Sequence, residues 1–179
     1  TPDKAYTPEL VDCDIEDFCL LNKKIVLLKN TGKLWYHKTN TVSKLPYEET
    51  DKHCCYTHVR AGLKTLVVIG YFTGEKRSRM FLINPKTLTV WSHCDSPSSG
   101  SHTRTLCFVQ IRKSNKNCVG IVTAEREKFC NVYVVSGRTI MSTGKSIIQH
   151  TDHLFAVLPI DRNEVWIAGF NYPVHKILF

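Results

Sequence analysis

Thr65-Leu-Val-Val-Ile-Gly-Tyr-Phe72 is a run of eight residues, most of them β-branched, aliphatic or aromatic. A polar, glycine-bearing link, Thr73-Gly-Glu-Lys-Arg-Ser78, separates it from a second apolar run, Arg79-Met-Phe-Leu-Ile-Asn84. Runs of this length and chemistry, punctuated by turn residues, read as antiparallel strands. Asn84-Pro-Lys-Thr87 is then a tight turn, because Asn favours turn starts and Pro presets φ at the next position. It leads into a strand over Leu88–Cys94, and Cys54–Arg60 supplies one upstream. The stretch 53–94 is therefore a unit of four consecutive strands.

The design recurs along the chain. Ile25–Leu28 with Leu34–Tyr36, Val119–Thr123 with Val132–Val135, and Val165–Phe170 with Lys176–Phe179 repeat the paired runs. Their starts are spaced roughly 40 to 53 residues apart, the range of four-stranded repeat units. Four units follow, at about 11–46, 53–94, 105–148 and 153–179, within a single domain over 1–179. The last stops after its third strand, and residues near Ala5–Val11 are a source for the missing fourth. Helical periodicity is confined to Pro8–Asn22, where Val11, Ile15, Phe18, Cys19 and Asn22 fall at helical spacing. The same stretch also alternates as a strand would, at Val11, Cys13 and Ile15.

Asn163-Glu-Val-Trp-Ile-Ala-Gly169 and Met80-Phe-Leu-Ile-Asn-Pro-Lys-Thr-Leu-Thr-Val-Trp91 resemble pieces of WD40-like or kelch-like β-propeller repeats, though Trp91 precedes Ser92 rather than Asp. The resemblance implies an all-β fold of about four blades, each of four antiparallel strands, the last incomplete, the whole being either a small closed ring or part of a larger one. It also implies a surface for partners rather than a catalyst. A β-sandwich or β-barrel is the alternative architecture, since it too yields many short strands with turn signals.

Composition narrows function. The 179 residues are 42% hydrophobic, and no apolar run approaches the roughly 20 residues of a membrane helix. Eight cysteines (13, 19, 54, 55, 94, 107, 118 and 130) allow two readings. Several occupy inward strand positions as small hydrophobes, which suits an intracellular protein with reduced thiols. An extracellular, disulfide-bridged β domain that binds a receptor or ligand is the other. The lack of an Asn-x-Ser/Thr sequon favours the first.

The motifs of nucleophilic catalysis and of phosphate or dinucleotide binding are missing, so no catalytic residue and no cofactor is assigned. His53-Cys54-Cys55-x-x-His58 offers metal donors, but adjacent cysteines on a strand point to opposite faces, and no metal ligand is assigned either. His93-Cys94 and His150-x-x-His153 beside Asp152 complete no set. Trp35, Trp91 and Trp166 fall at comparable strand places, as packing residues between units would. Ser96-Pro97, in a polar linker, is a candidate phosphate acceptor.

Charge is more telling. The formal net charge is +8, which favours acidic partners. In a stack of such units, the first and third turns of each unit share one rim. That rim collects Lys23, Lys24, Arg60, Lys64, Lys86, Arg112, Lys113, Lys116, Arg138 and Arg162, with few acids beyond Asp161 and Glu164. The opposite rim mixes Lys33, Lys76, Arg77, Arg79, Arg126 and Lys128 with eight acids. The sequence thus predicts a non-enzymatic scaffold module with a basic rim that docks an acidic protein, with nucleic acid or an anionic membrane surface as other polyanions. Further propeller blades or a second copy would complete the ring.

Overall fold

In the computed structural model, which describes residues 14–46, 54–97, 103–113, 116–125, 129–149, 154–169 and 174–179, the strands fall into four antiparallel sheets. The first holds β1 (Asp17–Leu21), β2 (Lys24–Leu28), β3 (Lys33–Tyr36) and β4 (Val42–Lys44). The second holds β5 (Cys54–Gly62), β6 (Thr65–Phe72), β7 (Arg77–Ile83) and β8 (Val90–Asp95). The third holds β9 (Thr103–Lys113), β10 (Lys116–Glu125), β11 (Phe129–Ser136) and β12 (Thr139–Gln149). The fourth holds β13 (Leu154–Asp161), β14 (Glu164–Gly169) and β15 (His175–Leu178). Each sheet is a meander in chain order. Among the described residues there is no helix, and no sheet closes into a barrel.

Local chemistry sets the turns. Asn22 and Lys23 (φ 49° and 64°) and Leu63 and Lys64 (φ 49° and 62°) are the central pairs of two-residue hairpins. Positive φ at both positions gives the turn twist that matches flanking strands. The Asn84 side chain accepts from the Lys86 N–H at 2.9 Å, and its carbonyl accepts from the Leu88 N–H at 2.8 Å. This is the Asn-Pro turn read from the sequence.

Of the two spacings found in Pro8–Asn22, the strand alternation holds over the described part. Asp17–Leu21 is β1, paired from Asp17↔Leu28 to Leu21↔Lys24. Cys19 and Leu21 turn toward the second sheet while Phe18 and Leu20 turn away, so alternation wins over helical spacing. Residues 8–13, and the closing strand expected near Ala5–Val11, lie outside the described residues. β12 is also longer than the expected Thr139–Ser142, with register shifts against β11 near Asn131.

The sheets stack face to face in chain order, which gives four layers where the sandwich alternative would have two. Leu28, Leu34 and Tyr36 of the first sheet pack on Tyr56, Leu66 and Val68 of the second. The other face of the second sheet, with Val67, Ile69 and Leu82, packs on Ile121, Tyr133 and Ile140 of the third. Val109, Val122 and Val132 on the far face of the third meet Val157, Val165 and Ile167 of the fourth. The run Leu66–Ile69 is continuously apolar because its residues serve two interlayers alternately. Each such buried side chain is worth about 1.5–3 kcal/mol.

All four sheets stand the same way up. Tyr36, beside the β3–β4 turn, donates its hydroxyl to the Pro85 carbonyl in the β7–β8 turn. The Ile140 N–H bonds Ser92 Oγ at 3.0 Å and the Ser142 N–H bonds Cys94 Sγ at 3.1 Å, so β8 and β12 run parallel. The Gln110 N–H of β9 donates to the Arg162 carbonyl in the β13–β14 turn. The first strands lie in series, β1 against β5, β5 against β9 and β9 against β13.

Candidate partner-binding rim

The common orientation brings the β1–β2, β3–β4, β5–β6, β7–β8, β9–β10, β11–β12 and β13–β14 hairpins to one end of the stack. Lys23 and Lys64 form left-handed hairpin tips there, and Lys86, Arg112 and Arg162 join them with exposed side chains. Lys113 and Lys116 are backbone partners in the β9–β10 register at the same end. Among the described residues, no carboxylate forms an ion pair with Lys23, Lys64, Lys86 or Arg112.

Three of the candidate cations are committed elsewhere. Arg60 turns inward to the Asp17 carboxylate between the first two sheets. Lys24 Nζ lies 5.4 Å from the centre of the Tyr36 ring, and the Arg138 guanidinium lies 5.6 Å from that of Trp91. Such cation–π placements leave the charge exposed but fix its position. Lys38, in the β3–β4 turn with φ 58°, joins this end too. In the sequence the third run ends at Tyr36 but no strand is assigned at Val42–Lys44, so the turn that holds Lys38 is not drawn.

Acids at this end are few and engaged. Glu164 accepts from Lys176 Nζ at 2.9 Å and from Trp166 Nε1 at 2.7 Å, and these donors hold its carboxyl below the ordinary range. The opposite end is different. Asp95 accepts from Arg79 Nε at 2.5 Å and pairs with Arg77 Nη1 at 3.1 Å, while Glu75 pairs with Arg77 and with Arg79 at 3.5 Å. Burial pushes the Asp95 carboxyl up, but Arg79, Arg77 and His93 outweigh it and hold it below its usual value. Cations at that end thus neutralise their own acids.

The donors singled out in the sequence do not converge. Cys54 is buried and Cys55 exposed, on opposite faces of β5. His58 Nδ1 lies 3.7 Å from Asp17, and His93 packs against the Phe81 ring at 5.9 Å. His53, His150, Asp152 and His153 lie outside the described residues. Among the described residues, no three His, Cys, Asp or Glu side chains gather as metal ligands. The described cysteines are free thiols. Burial, aided by Asp17, pushes the Cys19 thiol up to about 12, and burial alone takes Cys107 to about 12.

Two expectations change. Ser96 is buried, and its N–H bonds the Ser78 carbonyl at 2.8 Å, which makes it a poor phosphate acceptor. Trp91 packs between the second and third sheets, but Trp35 and Trp166 sit on the outer faces of the first and fourth. The reason is position: the end layers have an unshared face, and the middle layers have none. Among the described residues, no helix is long and apolar enough to cross a membrane. No family model matches the chain, and no curated protein matches it.

Proposed function

We propose that this chain is a non-enzymatic, scaffold-type interaction module whose four sheets are consecutive blades of a β-propeller, related to WD40-like or kelch-like repeats. Its hairpin rim docks an acidic protein segment. The observation that carries the reading is the common orientation of the four meanders, which gathers Lys23, Lys64, Lys86, Arg112 and Arg162 at one end. Exposed cations of one sign raise the local concentration of an acidic partner and speed its encounter, with strong salt dependence.

Poly-L-glutamate is the probe. Its affinity for the chain falls as salt rises, and the triple reversal Lys23→Glu, Lys64→Glu, Arg112→Glu weakens it by about tenfold or more. Reversing Lys29 and Lys76 at the opposite end has little effect. Salt-independent binding, or equal loss from both sets, removes the rim from the account. Tighter binding to single-stranded RNA or to phosphatidylserine vesicles than to polyglutamate reassigns the partner.

A further inference from the structure

Every interlayer in the stack has one construction, in which one sheet lays its forward face on the rear face of the next. Among the described residues, two faces of that kind are left over. They are the rear face of the first sheet and the forward face of the fourth, one of each hand.

Both carry rows of apolar side chains with charges only at their margins, on the first sheet the pair Lys33 and Lys44, with Lys33 Nζ 5.1 Å from the centre of the Trp35 ring. On the first sheet, Phe18, Leu27, Trp35 and Val42 are directly paired across β1 to β4, a single apolar row spanning all four strands. Leu20 and Ile25 form a second pair beside it. Phe18 and Leu20 are each 65% exposed. A hollow of about 440 Å³ opens beside Phe18, Ile25 and Leu27. On the fourth sheet, Leu158 pairs with Trp166, flanked by Leu178, which is 66% exposed. Glu164 and Lys176 on this face neutralise each other at 2.9 Å, and Asp161 pairs with Glu164 at its hairpin edge. Contiguous apolar faces of this kind mark association surfaces.

We propose that two copies of this chain associate head to tail, the rear face of the first sheet of each packing on the forward face of the other's fourth sheet. The occupant follows from continuity with the three interlayers inside the chain, because the rear of the first sheet and the front of the fourth are the two halves of one further interlayer. A heterologous contact closes when its rotation permits. Closure at two copies, giving eight sheets, rests on the propeller reading and falls within its range of four to eight blades. The pairing of the two faces rests on the stack alone.

Analytical ultracentrifugation tests it. The wild-type chain dimerises with a Kd of about 10 µM or tighter, as an interface of ordinary size supports. Leu20→Glu with Val42→Glu abolishes the dimer, and so does Leu158→Glu with Leu178→Glu. These positions are exposed, so circular dichroism and the melting temperature stay near wild type. Mixed in equal amounts, the two variants recover a 1:1 complex, because each retains the face that the other has lost. A monomeric wild type overturns the proposal and leaves the faces to sheets of another polypeptide. Loss from only one variant pair, or mixing without recovery, overturns it in favour of like-with-like pairing. Monomeric variants that still bind polyglutamate separate this result from the fate of the rim reading.

Discussion

The Asp17 carboxylate on β1 accepts from the Arg60 guanidinium on β5 and, at 2.8 Å, from the Val59 N–H, which ties the first sheet to the second beside their shared core. Burial pushes this carboxyl up, but His58, the Val59 N–H and Arg60 outweigh that and hold it below its ordinary value. A carboxyl depressed by folding adds stability above its unfolded pKa, and that stability is lost as pH falls toward the folded value.

Asp17→Asn should therefore cost about 1–2 kcal/mol at pH 7, the lower part of the range for bonds to a charged group because Arg60 is partly solvated. The gap to wild type should shrink below about pH 4, where the unfolded carboxyl protonates. Urea melts at pH 7 and pH 3 check this. An equal gap at both would remove the ionised carboxylate from the explanation.

Gly62 ends β5 against Phe108 of β9, and a Cβ placed there runs into the Phe108 ring. Gly62→Ala should destabilise by about 1–3 kcal/mol through overpacking. Phe108→Leu in the same chain should recover part of that loss. A double-mutant cycle read by thermal melting tests the pairing, and strict additivity would argue against it.

Leu63 and Lys64 hold left-handed backbone conformations without the residues that favour them, and Leu63 is 47% exposed. Replacing them with Asn-Gly should stabilise the chain by about 1–2 kcal/mol, since each ordinary residue there carries backbone strain. The denaturation midpoint should rise with the slope unchanged. A lower midpoint would mean that Leu63 contributes contacts worth more than the strain.

In the folded chain, Cys55 should react with iodoacetamide at pH 8, while Cys54, Cys107 and Cys130 should stay protected until unfolding, because they are buried. Cys107 adds a pH dependence. Its thiol is raised to about 12, so folding is favoured below the unfolded value and the benefit fades as pH climbs from about 9. Cys107→Ala should flatten that alkaline limb, which melts between pH 8 and 11 would show.

Much of the fold could be read from residue order. The run Thr65–Phe72 is β6 to the residue, and Asn84-Pro85 marks its turn, because both signals are local. The stretch around Asp17 stayed open between helix and strand, since the two spacings coincide over so few residues and only pairing with β2 decides between them. For the rim, hairpin membership was visible for Lys23, Lys64 and Lys86. The inward turn of Arg60 was not, because its partner Asp17 lies 43 residues away on another sheet.

By itself, the order of residues determined strands, hairpins and meanders, since period-two patterning and turn chemistry act over a handful of neighbours. Tertiary structure alone decided which faces meet, which cations are consumed and which apolar rows stay open. Those depend on how one sheet lies on the next. Trp91 and Trp166 make the point: both sit in strands, yet one fills an interlayer and the other faces outward, because their sheets occupy different places in the stack.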